Sequence, residues 1–197
     1  QPLSAPVVTR QVSLYEVSSS NVCVEVDENG DFVLEGGNLV QKDCNLPNTA
    51  FFGPTAAKLG TVTGSGTSAG ENPLQWTDET GASQPVSVKL TSGATLTVNV
   101  TETPKRGDIE EWQIYNFTVD AHPIHLHLVR FEVVNRTLFN GSPSLSGDLP
   151  PGDAGFKDTV IAYPGEITTV RAKVDIAGLY VWHCHILAHE EMDMMHS

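Results

Sequence analysis

The sequence predicts an all-β fold, a two-sheet Greek-key sandwich, and three observations carry that expectation. Strand-length runs recur along the chain, turn-forming clusters separate them, and only one short segment near the C-terminus has the composition of a helix. The runs are Val7 to Val17, Asn21 to Val26, Asp31 to Leu34, Thr95 to Val100, Glu110 to Val119, Leu126 to Val134, Thr159 to Ala162, Ile167 to Val174 and Leu179 to His183. Each contains β-branched or aromatic residues, and several alternate apolar with polar side chains, as a strand with one buried face does. Glu28-Asn29-Gly30, Pro164-Gly165 and Ala177-Gly178 supply the turns between them. Short strands without helices to cover them pack as two sheets face to face. The helical segment is Ile186 to Met195, and Gly64 to Asn72 and Asn140 to Gly155 read as surface loops. There is no internal repeat.

Composition agrees with one folded domain and excludes several functions. The chain has 197 residues, 40% hydrophobic and 18% charged, which is enough to bury a core. Its formal net charge of −13 argues against nucleic acid as a partner, because phosphate binding needs clustered Lys and Arg. No run approaches the roughly 18 apolar residues of a helical span, and no basic amphipathic stretch suggests a membrane surface, so no membrane partner is expected. The chain opens on Gln1 rather than Met, which leads us to expect further sequence upstream.

Of the three cysteines, Cys184 stands between two histidines and reads as a metal ligand. Cys23 and Cys44 are left, either as a disulfide closing a loop of about 20 residues in an oxidising compartment or as two buried thiols. Asn99, Asn116, Asn135 and Asn140 each begin an Asn-X-Ser/Thr sequon, which favours export only weakly, since Asn116 for one falls on an expected strand.

Two constellations carry the chemistry. In His122-Pro123-Ile124-His125-Leu126-His127, a strand of period two directs His125 and His127 to one face, where both can reach one metal centre. His122 is expected just before that strand, with Pro123 fixing the backbone so that it aims elsewhere. In His183-Cys184-His185, alternation puts the two histidines on one face and the thiol on the other, so Cys184 can serve a second, separate metal. His189 follows, with Met192, Met194 and Met195 behind it.

A thiolate, two imidazoles and a weak axial thioether make a type 1 blue-copper site, and Cys184, His189, His122 and one methionine supply that set. Soft sulfur favours Cu(I) and nitrogen tolerates Cu(II), so such a site moves single electrons. A lone histidine is ordinarily a satisfied polar residue and a lone methionine core filler. Here, however, six of the seven histidines fall in two short motifs and only His196 lies outside them. Zinc also accepts imidazole and thiolate, but its motifs usually carry two or more cysteines or few histidines.

These motifs resemble the copper signatures of the multicopper oxidases, above all the branch of bacterial spore-coat-type laccases and bilirubin oxidases. The resemblance extends through Thr101-Glu102-Thr103-Pro104-Lys105, Ile109-Glu110-Glu111-Trp112, Asn116 to Arg136, Lys157-Asp158-Thr159 and Tyr180 to Met195. It is strong over the C-terminal half and loose over the first ninety or so residues. It implies a C-terminal cupredoxin domain over residues 1–197, with 1–17 as a lead-in strand from a middle domain. It implies type 1 copper on His122, Cys184 and His189 with Met194 as axial ligand. It further implies type 2 copper on His125, type 3 copper on His127, His183 and His185, and a proton-relay carboxylate at Glu190, whose alternative is an ordinary solvated acid.

The resemblance also implies something missing. A trinuclear cluster in this family takes eight histidines, and this chain offers four. The others come as two His-X-His motifs from an N-terminal domain, with a middle domain between. The chain is therefore expected to be the C-terminal piece of a longer oxidase, or one chain of a cleaved precursor, acting outside the cytoplasm. Copper is the expected cofactor, with dioxygen and a small reducing compound as substrates. The alternative is a stand-alone blue-copper electron carrier, which would have no use for histidines at 125, 127, 183 and 185. A two-domain nitrite reductase would not normally use both histidines flanking the cysteine. The donor is not legible, although Gly141 to Gly155 is a candidate wall of its site.

Overall fold

The computed structural model describes residues 2–18, 22–52, 55–63, 75–77, 84–89, 92–100, 102–144, 149, 151–190 and 194–196. In chain order its strands are β1 Val8–Ser18, β2 Cys23–Glu25, β3 Leu34–Glu35, β4 Asn38–Leu39, β5 Gln41–Lys42, β6 Thr49–Phe51, β7 Thr55–Thr63, β8 Gln75–Thr77, β9 Gln84–Lys89, β10 Thr95–Val100, β11 Ile109–Asn116, β12 His122–Leu126, β13 Phe131–Leu138, β14 Phe156–Lys157, β15 Thr159–Ala162, β16 Glu166–Lys173, β17 Trp182–Cys184 and β18 Met195–His196. One short helix, α1, spans Leu187–Glu190, and a single 3-10 turn spans Pro151–Asp153. The all-β expectation holds. The expected loop Gly64 to Asn72 lies outside the described residues. No helix of the described residues is long and apolar enough to cross a membrane.

The chain divides into two compact units, Gln1–Tyr15 with Lys58–Ser197, and Glu16–Ala57. In the smaller, β2 pairs antiparallel with both β5 and β6, and β3 pairs with β4. Sheets this short bury little, and the disulfide Cys23–Cys44 reinforces them. Closing a loop of 21 residues contributes roughly 3 kcal/mol if it acts by restricting the unfolded chain. That resolves the two alternatives for these cysteines.

The larger unit holds two main sheets. One has the order β14-β13-β16-β11-β1-β7-β8 and the other β15-β12-β17-β18. From β11 onward the chain passes back and forth between them, so most neighbouring strands are non-consecutive, as in a Greek-key sandwich. Trp112 of β11 and Trp182 of β17 meet edge-to-face across the gap, with centroids 5.8 Å apart. Val12, Leu14, Ile114, Ile124, Phe131 and Val170 are fully buried. Beside β11, β1 runs parallel, and Arg10 grips the buried Glu110 with Nε–Oε2 2.6 Å and Nη2–Oε1 2.8 Å. The indole N–H of Trp112 donates to the same carboxylate at 3.2 Å, so the buried charge is paired and hydrogen-bonded.

Three expected elements differ. The run from Leu126 to Val134 is two strands in different sheets, β12 and β13, because the chain turns at His127 to Arg130. Leu128 takes a φ of 61° there, which nothing in a leucine side chain announces. His122 is the first residue of β12 rather than a residue ahead of it. The expected helix from Ile186 to Met195 shrinks to four residues, because Met195 instead pairs with His183 as part of β18.

Candidate metal centre

The pleat of β12 creates the division between two sites. Its burial alternates, with His122, Ile124 and Leu126 buried and Pro123 and His125 half-buried. His122 therefore parts from His125 by strand alternation, not by the action of Pro123. The neighbouring β17 is in register with Ile124 opposite Cys184 and His125 opposite His183. Directly opposed residues share a face, so Cys184 joins His122 on one side and His183 joins His125 on the other.

On the first side, His122 Nδ1, His189 Nδ1 and Cys184 Sγ form a triangle. Its edges are 3.6 Å from sulfur to His122, 3.7 Å from sulfur to His189 and 3.2 Å between the nitrogens. The in-plane point equidistant from the three atoms lies about 2.0 Å from each, which suits the two nitrogens, and a point slightly out of the plane keeps those two distances while reaching the longer ~2.3 Å of a metal–thiolate bond as known for zinc. The three atoms thus fit a single metal ion. His189 reaches the site from α1, whose one turn is closed by His189 N–H to Ile186 O at 2.9 Å.

Met194 is fully buried and is tied to this group through its backbone. Its N–H donates to His189 O at 2.9 Å, and its carbonyl accepts from Cys184 N–H at 3.1 Å. Met195 is exposed and belongs to the strand pairing, while Met192 lies outside the described residues. Glu190 ends α1, and its side chain is outside the described part.

On the second side, one ligand atom each from His125, His127 and His183 lie within 4.8 Å of one another, and His127 Nε2 is 3.0 Å from His183 Nε2. His183 Nδ1 faces Cys184 O at 3.1 Å; a carbonyl only accepts, so Nδ1 carries the proton and Nε2 presents its lone pair to the cluster. His125 Nδ1 contacts Thr159 Oγ1 at 3.1 Å. His185 is exposed and stands beside the group of three, its ring centroid 5.6 Å from His125 and 5.4 Å from His183. Its backbone N–H is held by Pro123 O at 2.7 Å. An apolar cavity of about 320 Å³ opens next to His127, walled by Leu126, Val129, Ile176, Leu179 and Trp182.

Sequence reasoning missed the residues around the ligands. Thr118 Oγ1 lies 2.7 Å from His122 Nε2, and Asn116 holds Thr118 in place. The signal was present in the run Asn116-Phe117-Thr118, which instead registered as a glycosylation sequon. Asn116 is fully buried with its amide engaged, so it is no glycan acceptor. Asn135 and Asn140 are exposed.

Residues 60–197 match the profile of the multicopper oxidases. The chain belongs to the multicopper oxidase family. It is similar to the laccase of Bacillus subtilis (strain 168), with 48% identity over 107 residues that cover 49% of this chain and 21% of that protein. A bilirubin oxidase of Albifimbria verrucaria is 38% identical over 91 residues, 45% of this chain and 15% of that one. Among solved structures, a multi-copper oxidase from Pediococcus acidilactici aligns with a TM-score of 0.40 and 29% identity, over 46% of this chain and 18% of its own. The chain thus spans about a fifth of the length of the curated multicopper oxidases it matches.

Electrostatics at the first site favour a neutral ligand. Burial, reinforced by the nearby His189 and opposed by Asp120, pushes the His122 pKa down to about 4 from 6.5. In the metal-free chain the unfolded state therefore binds more protons between those two values. Stability from this group is fully present above pH 6.5 and is lost as the pH falls toward 4. The contribution is about 3 kcal/mol. Urea denaturation at pH 7 and pH 4.5 should show that loss in the metal-free chain, and a His122→Gln variant should lose correspondingly less.

Proposed function

We propose that this chain is the copper-bearing C-terminal portion of a laccase-like oxidase that takes single electrons from a small reducing compound and delivers them to dioxygen. The observation that carries the reading is that residues 183 and 184, adjacent in sequence, belong to two separate ligand groups on opposite faces of one strand. In this reading His122, Cys184 and His189 hold a type 1 copper with Met194 as axial ligand. His125 serves type 2 copper, and His127, His183 and His185 serve the type 3 pair. Bound copper would supply one-electron chemistry, four electrons and four protons converting one dioxygen to two waters.

The protein's own part is positioning and connection. Cys184 is covalently joined to His183 and His185, so an electron leaving the thiolate has an all-bonded path to either imidazole. Burial of Cys184, His122 and Met194 keeps water from the sulfur. In the same reading Glu190, the neighbour of His189 in sequence, serves as a proton relay for the oxygen-reducing side. The half-exposed faces of His125 and His127, with the apolar cavity beside them, suit coverage by N-terminal domains carrying two His-X-His pairs. Those domains belong either to the same polypeptide or to a separate chain of a cleaved precursor. Phenols, aromatic amines, bilirubin-like tetrapyrroles and low-valent metal ions are the donor classes; the segment 141–155, offered as one wall of their site, lies partly outside the described residues. The disulfide supports an extracytoplasmic, oxidising compartment. A stand-alone electron carrier would leave the second histidine group without a use.

Titrating the chain with Cu(II) tests the reading. One tightly held copper with the intense visible absorption of a copper–thiolate bond is expected, whereas zinc uptake with no coloured copper form overturns it. Met194→Leu should keep the colour and raise the reduction potential, since losing a weak axial donor destabilises Cu(II) more than Cu(I). An unchanged potential would assign the axial role to Met192 or Met195.

A further inference from the structure

The ring of His122 has two nitrogens, and a metal can use Nδ1 only if the proton resides on Nε2. What decides between them is the hydrogen-bond partner of Nε2, which is Thr118 Oγ1 at 2.7 Å. A hydroxyl can donate as well as accept, so Thr118 alone does not settle the tautomer. Its own surroundings do.

Asn116 sits at the centre of those surroundings, fully buried at the end of β11. Its side-chain nitrogen faces two carbonyls, Asp120 O at 2.8 Å and Ala162 O at 3.0 Å, and must donate to both. Its Oδ1 is thereby turned toward Thr118, where it accepts the backbone N–H at 2.9 Å and lies 2.7 Å from Oγ1. The Thr118 hydroxyl also lies 3.0 Å from Asp120 O. Both of these neighbours are pure acceptors, so the single hydroxyl proton belongs to one of them. The Asp120 N–H, 3.3 Å away, points at Oγ1 as a donor. What Thr118 Oγ1 offers His122 is therefore a lone pair.

We infer that Thr118, held by Asn116, is a positioning residue that locks His122 with its proton on Nε2 and its Nδ1 lone pair aimed at Cys184 Sγ and His189 Nδ1. The site is thus set for a metal before any metal arrives. The donated N–H also makes Nδ1 more basic, which favours the higher oxidation state. Asn116 ties the arrangement to both sheets: Ala162 pairs with His122 across β15 and β12, and Asn116 O accepts from Gly165 N–H at 2.9 Å. Gly165 lies in the turn entering β16 with a φ of 70°, a conformation that suits glycine.

The inference rests on the copper reading of this site, and the experiment separates the two. In the copper-free wild-type chain, nitrogen-15 chemical shifts of His122 should report a protonated Nε2 and a bare Nδ1; a proton on Nδ1 overturns the inference without any variant. Thr118→Val keeps the shape and removes the oxygen, and Thr118→Ser keeps the oxygen and removes a methyl. With Cu(II) as the probe, the Val variant should bind 10- to 100-fold more weakly and show a raised reduction potential, and the Ser variant should match the wild type in both. Equal affinity and potential in the Val variant overturn the inference, as does a Ser variant as weak as Val. If the wild type itself takes no coloured copper, the proposed function fails, while the nitrogen-15 result still decides the tautomer.

Discussion

Replacing Cys184 with Ser is expected to abolish the visible copper–thiolate absorption of the chain completely. The thiolate is the one soft donor among the three atoms that fit a single ion, and the colour arises from the sulfur–metal bond itself, so an oxygen at that position leaves nothing to absorb. Two imidazoles would remain, and a colourless, more weakly held Cu(II) at His122 and His189 is the expected residue of the site. Cys184 is fully buried, and the change removes little volume, so the fold should survive. Visible spectroscopy during copper titration, with circular dichroism as the folding control, decides the matter. A Ser variant that retains the band would mean that the coloured copper sits elsewhere.

The second expected result is that this chain alone does not reduce dioxygen. In the proposed reading, His125, His127, His183 and His185 would offer four imidazoles to a cluster whose three coppers would take eight. Each of those coppers would be under-coordinated and open to water. The chain covers about a fifth of the length of the laccases it resembles. Oxygen uptake should therefore be absent for the purified chain carrying one copper. Addition of a partner with two His-X-His pairs should bring the bound copper to four and start turnover. Full four-electron turnover by the monomeric chain would falsify the two-part reading. Turnover only in a self-associated form would show instead that two copies pool their histidines.

Much of the candidate site was legible because metal ligands are constrained in type and spacing. His125 and His127 two residues apart, and Cys184 between two histidines, announce ligands whatever the fold around them. The pairing of His122 with Cys184 and His189 also follows from ligand chemistry, and the structure brings those three atoms together. Pro123 is not what separates His122 from His125: β12 includes His122, and simple alternation turns it inward. Thr118 and Asn116 were not recognised, because a threonine hydroxyl and an asparagine amide are common in turns and gain their meaning only from what lies within 3 Å.

The same physics divides the fold. Local pattern alone determined that the chain is all-β, because alternation and turn residues act over a few positions; β10 and β15 match the expected runs Thr95 to Val100 and Thr159 to Ala162. Residue identity likewise marked which side chains are able to hold a metal. Tertiary structure decided the rest. The break at Leu128 follows from β12 and β13 belonging to different sheets, and the shortening of the C-terminal helix from Met195 pairing with His183. The register that sets Cys184 against Ile124 and His183 against His125 is a relation between strands about 60 residues apart. No local propensity encodes such a relation, which arises only when burying both sheets selects one alignment from many.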